Sequence, residues 1–262
     1  MTGTGFIYAL IAGVLPSLVW LFFWTREGDD QPEPRPLLMG CFFAGMIVVF
    51  IAIPLEKWAV DLAANNTTVQ YIYWAAIEEF LKFCALAVIA LHSKSYDEPI
   101  DAMIYAIAVA LGFAALENTL FIMKTISMSG SLLTSFSTGN MRFIGATLVH
   151  VVSSAMIGFS LGWTYYKGFF TRASAWIFGL GLAIAVHATF NIAIAGAGAM
   201  DTLKAFGWIW GAVVIIIVLF EEVKAVKPKG VGTPAGTNPT SSPIAPFTPK
   251  PTASGPTKLQ NA

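Results

Sequence analysis

The sequence predicts an all-α integral membrane protein, a bundle of about seven transmembrane helices. Composition is the first reason. Of 262 residues, 56% are hydrophobic and 11% charged, with a mean hydropathy of +0.69, whereas soluble domains carry roughly a quarter charged residues. Run length is the second, because the apolar stretches match the roughly 17–25 residues that span a bilayer core. Aromatic placement is the third. Trp20 and Trp24, Tyr71 to Trp74, Trp163 to Tyr166, and Trp208 with Trp210 fall near run ends, where headgroups are expected. Helix is the only reading of such runs, since lipid offers no partners to an open strand.

The first span is Phe6–Trp24. No Lys or Arg precedes it and Thr25-Arg26-Glu27 follows it, so it reads as a retained helix rather than a cleaved signal. Then come Leu37–Leu55, Val69–Leu91, Ile100–Met123, Phe143–Tyr166, Ala173–Ala195 and Thr202–Phe220, the last carrying Lys204 near its start. The connections are short and rich in breakers, as in Pro32-Glu33-Pro34-Arg35-Pro36 and Asp97-Glu98-Pro99. Residues 1–226 therefore form the membrane domain. Residues 227–262 are Pro, Thr, Ser, Gly and Lys without periodicity, a composition expected to be a disordered tail.

Charge adds an orientation and an exclusion. With the N-terminus outside, Arg26, Arg35, Lys94, Lys167, Arg172, Lys224, Lys227 and Lys229 fall on the cytoplasmic side, against Lys57, Lys124, Arg142 and Lys204 outside. Eight against four predicts N-out and C-in, in the cell membrane. The net charge of zero supplies no basic surface for nucleic acid. Cys41 and Cys84, the only cysteines, lie in apolar runs as small packing residues.

Ionisable groups inside a span cost about 2.5–3.5 kcal/mol each on insertion scales, so each needs a reason. The set is small: Glu78, Glu79 and Lys82 on the third span, Glu117 on the fourth, His150 on the fifth and His187 on the sixth. Asn118 adjoins Glu117, and Asn191 lies one turn from His187. Counted from the outward end of each span at the helical rise, Glu78 and His150 lie roughly 14 Å in, His187 about 12 Å and Glu117 roughly 9 Å. Four antiparallel helices thus bring polar groups to one level, in the outer half of the bilayer. Glu78 and Lys82 share a face at i, i+4, and Glu79 lies about 100° away. His150, Ser154, Gly158 and Gly162 form an i+4 stripe of small residues for close helix approach.

Singly, each group has a plainer reading: an ion pair locking two helices for Glu78, Glu79 and Lys82, an interhelical hydrogen bond for either histidine. Together at one depth they form a constellation a scaffold does not require. A buried glutamate is suited to act as general base, with imidazole and amide groups receiving an oxyanion. Alternatively Glu78, His150 and His187 could hold zinc, although no His-Glu-x-x-His pattern occurs. Ser153 and Ser154 lack a Gly-x-Ser-x-Gly context, Asp101 and Asp201 sit at helix ends, and His92 has no assigned role. A proton- or metal-coupled transporter could use the same Glu/His cluster, but neither repeated halves nor paired broken helices are evident.

Glu78-Glu79-x-x-Lys82, then Phe113-x-x-x-Glu117-Asn118, then His150, then His187-x-x-x-Asn191, resembles the PrsW family of intramembrane proteases. Asp97-Glu98-Pro99-Ile100-Asp101, running into Gly112-Phe113-Ala114-Ala115, and Glu33-Pro34 look like that family too, so the resemblance extends from about residue 20 to residue 195. The Glu-Glu and His-x-x-x-Asn motifs are more distantly similar to CAAX prenyl proteases, which carry an arginine one residue beyond the position of Lys82. The resemblance implies hydrolysis of a membrane-anchored protein substrate, in some members the first cut of an anti-sigma factor. It points to Glu78, Glu79, Lys82, Glu117, Asn118, His150, His187 and Asn191 as site residues. Glu78 is preferred as base because it shares a face with Lys82, with Glu79 seconding it.

Overall fold

The computed structural model describes residues 3–27, 32–129, 145–195 and 199–228. Seven α-helices occur among them: α1 (Gly3–Glu27), α2 (Arg35–Leu62), α3 (Thr67–Ile89), α4 (Asp101–Ser129), α5 (Thr147–Trp163), α6 (Phe169–Ile194) and α7 (Ala199–Lys224). There is no strand among the described residues, so the chain is an α-helical integral membrane protein. α1, α2, α4, α6 and α7 are long and apolar enough to cross a membrane. The tail beyond 228, Arg142, and the first residues of the expected fifth span lie outside the described residues.

α4 is the axis. Ala102 to Ala115 are buried without a break, and α1, α2 and α5 pack around this helix. Small residues make that possible. A Cβ on Gly45 of α2 would strike the Val109 carbonyl, one on Gly112 of α4 would strike Phe42, and one on Gly13 of α1 would strike Thr119. On α5, a Cβ on Gly158 would lie 2.6 Å from Met103 Cα. Gly158 of the small-residue stripe therefore brings α5 onto the backbone of α4, as small residues do in other membrane bundles.

Around this axis α3 packs against α2 and α6, and α7 against α5 and α6. A tight turn joins α2 to α3. Ala64 and Asn65 take positive φ of 47° and 69°, and Asn66 caps α3 by accepting the Val69 amide at 3.1 Å. The helix bounds differ most at α2, which runs past the expected end at Leu55 to Leu62. Two of the expected interfacial aromatics also prove to be packing residues. Trp24 is buried with its ring stacked 5.3 Å from Phe220, and Trp20 lies 5.9 Å from Trp210. These pairs join α1 to α7 and give each ring a protein partner, and of the interfacial candidates Trp20, Trp24 and Trp210 only Trp24 is fully buried.

Candidate active site

The polar residues of α3, α4, α5 and α6 meet in one cluster. Its most buried member is Glu79, with no exposed surface. Glu79 Oε1 accepts from Lys82 Nζ at 2.8 Å, His187 Nδ1 at 2.7 Å and Ser153 Oγ at 2.9 Å, while Oε2 accepts from Ser154 Oγ at 2.9 Å. Three helices thus converge on one carboxylate. A buried charge so surrounded by donors is tolerated, whereas an unpaired one is costly.

Lys82, a group that only donates, fixes the tautomer of His150. Lys82 Nζ donates to His150 Nδ1 at 2.8 Å, leaving the Nε2 proton for Glu117 Oε2 at 2.9 Å. His187 Nδ1 lies 2.7 Å from Glu79 Oε1, which turns its Nε2 toward Glu78. That Nε2 is 3.8 Å from Glu78 Oε2, and His150 Nδ1 lies 3.7 Å from the same oxygen. The two rings are perpendicular, with centroids 4.9 Å apart. Phe113 lies beneath, 4.4 Å from Lys82 Nζ over its ring face.

Glu78 differs from its neighbour. Its Oε2 is buried with no hydrogen-bond donor among the described residues, and its closest cationic contact is Lys82 at 3.6 Å. Glu78 also lines a cavity of about 640 Å³ with Glu56, Trp74, Phe113, Glu117 and Asn191. Glu79 does not line it. Sequence spacing paired Lys82 with Glu78, but the lysine turns toward Glu79 because α5 and α6 gather their donors there. The reason to single out Glu78 is instead its free oxygen and its place on the cavity wall.

Glu78, Lys82, Glu117, His150 and His187 are thus brought together, and Asn191 lines the cavity beside them. Asn118 turns elsewhere, its side-chain amide donating to Thr147 Oγ1 at 3.0 Å, since adjacent helical residues point about 100° apart. Ser153 and Ser154, considered only as nucleophiles, are donors to Glu79. Glu56 was missed altogether. It follows the last apolar residue of the expected second span, where a charge reads as interfacial; only the extra turns of α2 put it in the cavity wall.

The cluster fits a divalent cation. A carboxylate oxygen without a donor lies 3.8 Å from His187 Nε2, and with a neutral ring these are two acceptors that a positive charge between them would satisfy. Glu78, His150 and His187 each offer one ligand atom, all within 4.8 Å of one another, and His150 becomes a ligand once Lys82 turns away from its Nδ1. Glu79 holds the far nitrogen of His187, as outer carboxylates do for metal-bound histidines.

A family model described as PrsW family intramembrane metalloprotease matches residues 33–221, well over half of the chain. Protease PrsW of Geobacillus kaustophilus is 26% identical over 159 residues, 60% of this chain and 67% of that protein. Protease PrsW of Bacillus subtilis is 30% identical over 121 residues, 44% of this chain and 55% of that one. Protease PrsW of Clostridioides difficile is 25% identical over 188 residues, 69% and 76%. No solved structure matches.

Proposed function

We propose that this chain, which belongs to the PrsW family of intramembrane metalloproteases, hydrolyses a peptide bond in a membrane-anchored protein substrate, with Glu78 as the central reacting group. The observation that carries this reading is the free oxygen of Glu78, facing two histidines at the wall of a cavity. Hydrolysis inside a membrane needs water beside a proton acceptor, and a cavity lined by carboxylates and an amide can admit it.

Glu78 and His187 would hold the metal implied by the family, joined by His150 once Lys82 releases its Nδ1. When bound, a divalent ion acidifies water and polarises a carbonyl oxygen. The chain's own groups do the rest. Glu79 and the serines lock His187, Lys82 offsets part of the carboxylate charge, and Glu117 fixes the ring of His150. Glu78 accepts the proton of the attacking water or, where it ligates an ion, leaves that proton to Glu117 on the facing wall. Asn191, one turn from His187, is placed to bind the developing oxyanion.

The positive-inside bias of Lys and Arg supports a site in the outer half of the bilayer, with the N-terminus outside and the C-terminus cytoplasmic. An outward site suits the first cut of an anti-sigma factor, the substrate class implied by the PrsW resemblance. A co-expressed single-span membrane protein tests the reading. The wild type should yield a defined product, and Glu78→Gln none, with both inserted at equal level. Equal cleavage by the two variants removes Glu78 from the chemistry, and no cleavage by the wild type across a panel of such substrates removes the protease reading.

A further inference from the structure

The cavity beside Glu78 runs to one end of the bundle. On α2 it is lined from Val49 to Glu56, on α4 from Phe113 to Lys124 and on α6 from Asn191 to Ala195, each toward the C-terminal end of its helix. On α3 it is lined from Tyr71 to Glu78, toward the N-terminal end. Successive helices alternate in direction, so these ends coincide, and the wall rises from the Glu78 cluster to a mouth.

One charge on this wall has no part in the cluster. Among the described residues lining the cavity Lys124 is the only lysine or arginine, against three carboxyl groups, Glu56, Glu78 and Glu117. It lies seven residues beyond Glu117 on the same face of α4, two turns and about 10 Å nearer the mouth. The packing of α4 agrees with that direction. Ile122 and Ile126, each about 200° round the helix from Lys124, are buried with Ala9 of α1. Lys124 itself is exposed and forms no ion pair with a described residue. A lysine that only anchors a helix runs along lipid to the headgroups, whereas this one borders the space into which the reacting groups open.

We propose that Lys124 is a specificity-determining residue. Its ammonium group pairs with an acidic side chain of the substrate, about three residues from the scissile bond on the side toward the mouth. The spacing follows from length: an extended chain advances about 3.3 Å per residue, so about 10 Å is three residues. The sign follows from the rest of the wall. Carboxyl groups around the reacting end disfavour an acidic side chain there, and Lys124 is the position on the wall that attracts one. Attraction at the mouth and repulsion below it together set which bond reaches Glu78.

The inference rests on the proteolytic reading of the Glu78 cluster, and the test separates the two. The full chain in bilayers is given single-span proteins whose segment at the mouth is alanine except for one aspartate, moved one position at a time, with a matching lysine set. Cleavage kinetics, and binding by fluorescence anisotropy, are measured for wild type, Lys124→Ala and Lys124→Glu. Wild type should cleave best with aspartate about three residues from the cut bond. The gain in kcat/KM over the all-alanine protein should be about 5-fold, the size of a solvent-accessible ion pair, and smaller at high salt. Lys124→Ala should lose this preference, and Lys124→Glu should transfer it to lysine at the same position. A preference kept by Lys124→Ala, or none in the wild type, overturns the proposal. So does an equal loss on every substrate, which is what a merely structural lysine would give. If the wild type cleaves none of the set, the proteolytic reading fails and binding decides Lys124. Tighter binding of an aspartate protein, lost in Lys124→Ala, then upholds the pairing, and equal affinity overturns it.

Discussion

Helices α1 and α5 meet the membrane in opposite ways. α1 is 25 residues long and presents Phe6, Ile7, Ile11, Leu15, Val19 and Phe22 outward. α5 has only 17 residues, and nearly all from Thr147 to Gly162 are buried, including His150, Ser153 and Ser154. α3 lies between the two cases, with Glu78, Glu79 and Lys82 on a buried face and Phe80 and Val88 on an exposed one. The two helices outside the set long and apolar enough to cross a membrane, α3 and α5, both carry part of the cluster, and α4 and α6 supply the rest. α3 and α5 are tolerated because protein surrounds them: a polar group within a span must find its partners inside the bundle.

The largest expected effect tests the polar side of this contrast. Glu78→Gln preserves shape and removes the proton acceptor, so hydrolysis should fall by about 10²–10⁴-fold with insertion unchanged. Glu79→Gln provides the comparison. Glu79 is held by four donors and does not line the cavity, so its loss should disturb His187 and lower zinc affinity along with activity. If Glu79→Gln abolishes hydrolysis while Glu78→Gln keeps it, the roles of the two glutamates are reversed.

Packing of α5 against α4 ranks next. A methyl group on Gly158 would lie 2.6 Å from Met103 Cα and 2.7 Å from the Ala102 carbonyl, both backbone atoms of α4. Gly158→Ala should therefore destabilise the bundle by about 1–3 kcal/mol, read as a lower Tm in detergent. An unchanged Tm would mean that α4 and α5 can separate at no cost.

Much of the site was legible because intramembrane charge is expensive. Glu78, Glu117, His150 and His187 stand out of apolar runs, and alternating helices place them at one depth. What the sequence hides are the choices made between helices. Lys82 is i+4 from Glu78 and i+3 from Glu79, and only the donors arriving from α5 and α6 favour the second. Glu56 lies beyond the apolar run of its helix, and the partner of Trp74 is a backbone carbonyl that no side-chain pattern encodes. Trp24 has the composition of an interfacial residue, yet Phe220, nearly two hundred positions later, covers it.

A smaller effect is expected at the donors to Glu79. Ser154→Ala removes one hydrogen bond from a carboxylate that keeps Ser153, Lys82 and His187. The loss should be about 1 kcal/mol, or several-fold in kcat, because the remaining donors hold the group in place. Ser153 and Ser154 replaced together should cost more than the sum, since residues that share a partner are not additive. Strict additivity would mean that the serines act independently of Glu79.

The smallest effect belongs to the lipid face of α1. Ile11 is 55% exposed, and Ile11→Leu exchanges one aliphatic chain for another of equal volume. Lipid is as apolar as either side chain, so burial against hydrocarbon contributes no difference between them. β-Branching slightly disfavours helix, which leaves leucine neutral or marginally better. Stability should change by no more than about 0.5 kcal/mol, read as a nearly constant Tm, and kcat not at all. The same conservative test inside α5, Val151→Leu at a fully buried position, forces a new shape on a packed interface and should cost about 1 kcal/mol. If the two substitutions behave alike, α1 and α5 do not differ in what surrounds them. In that case protection by protein does not explain why the short polar helix is tolerated.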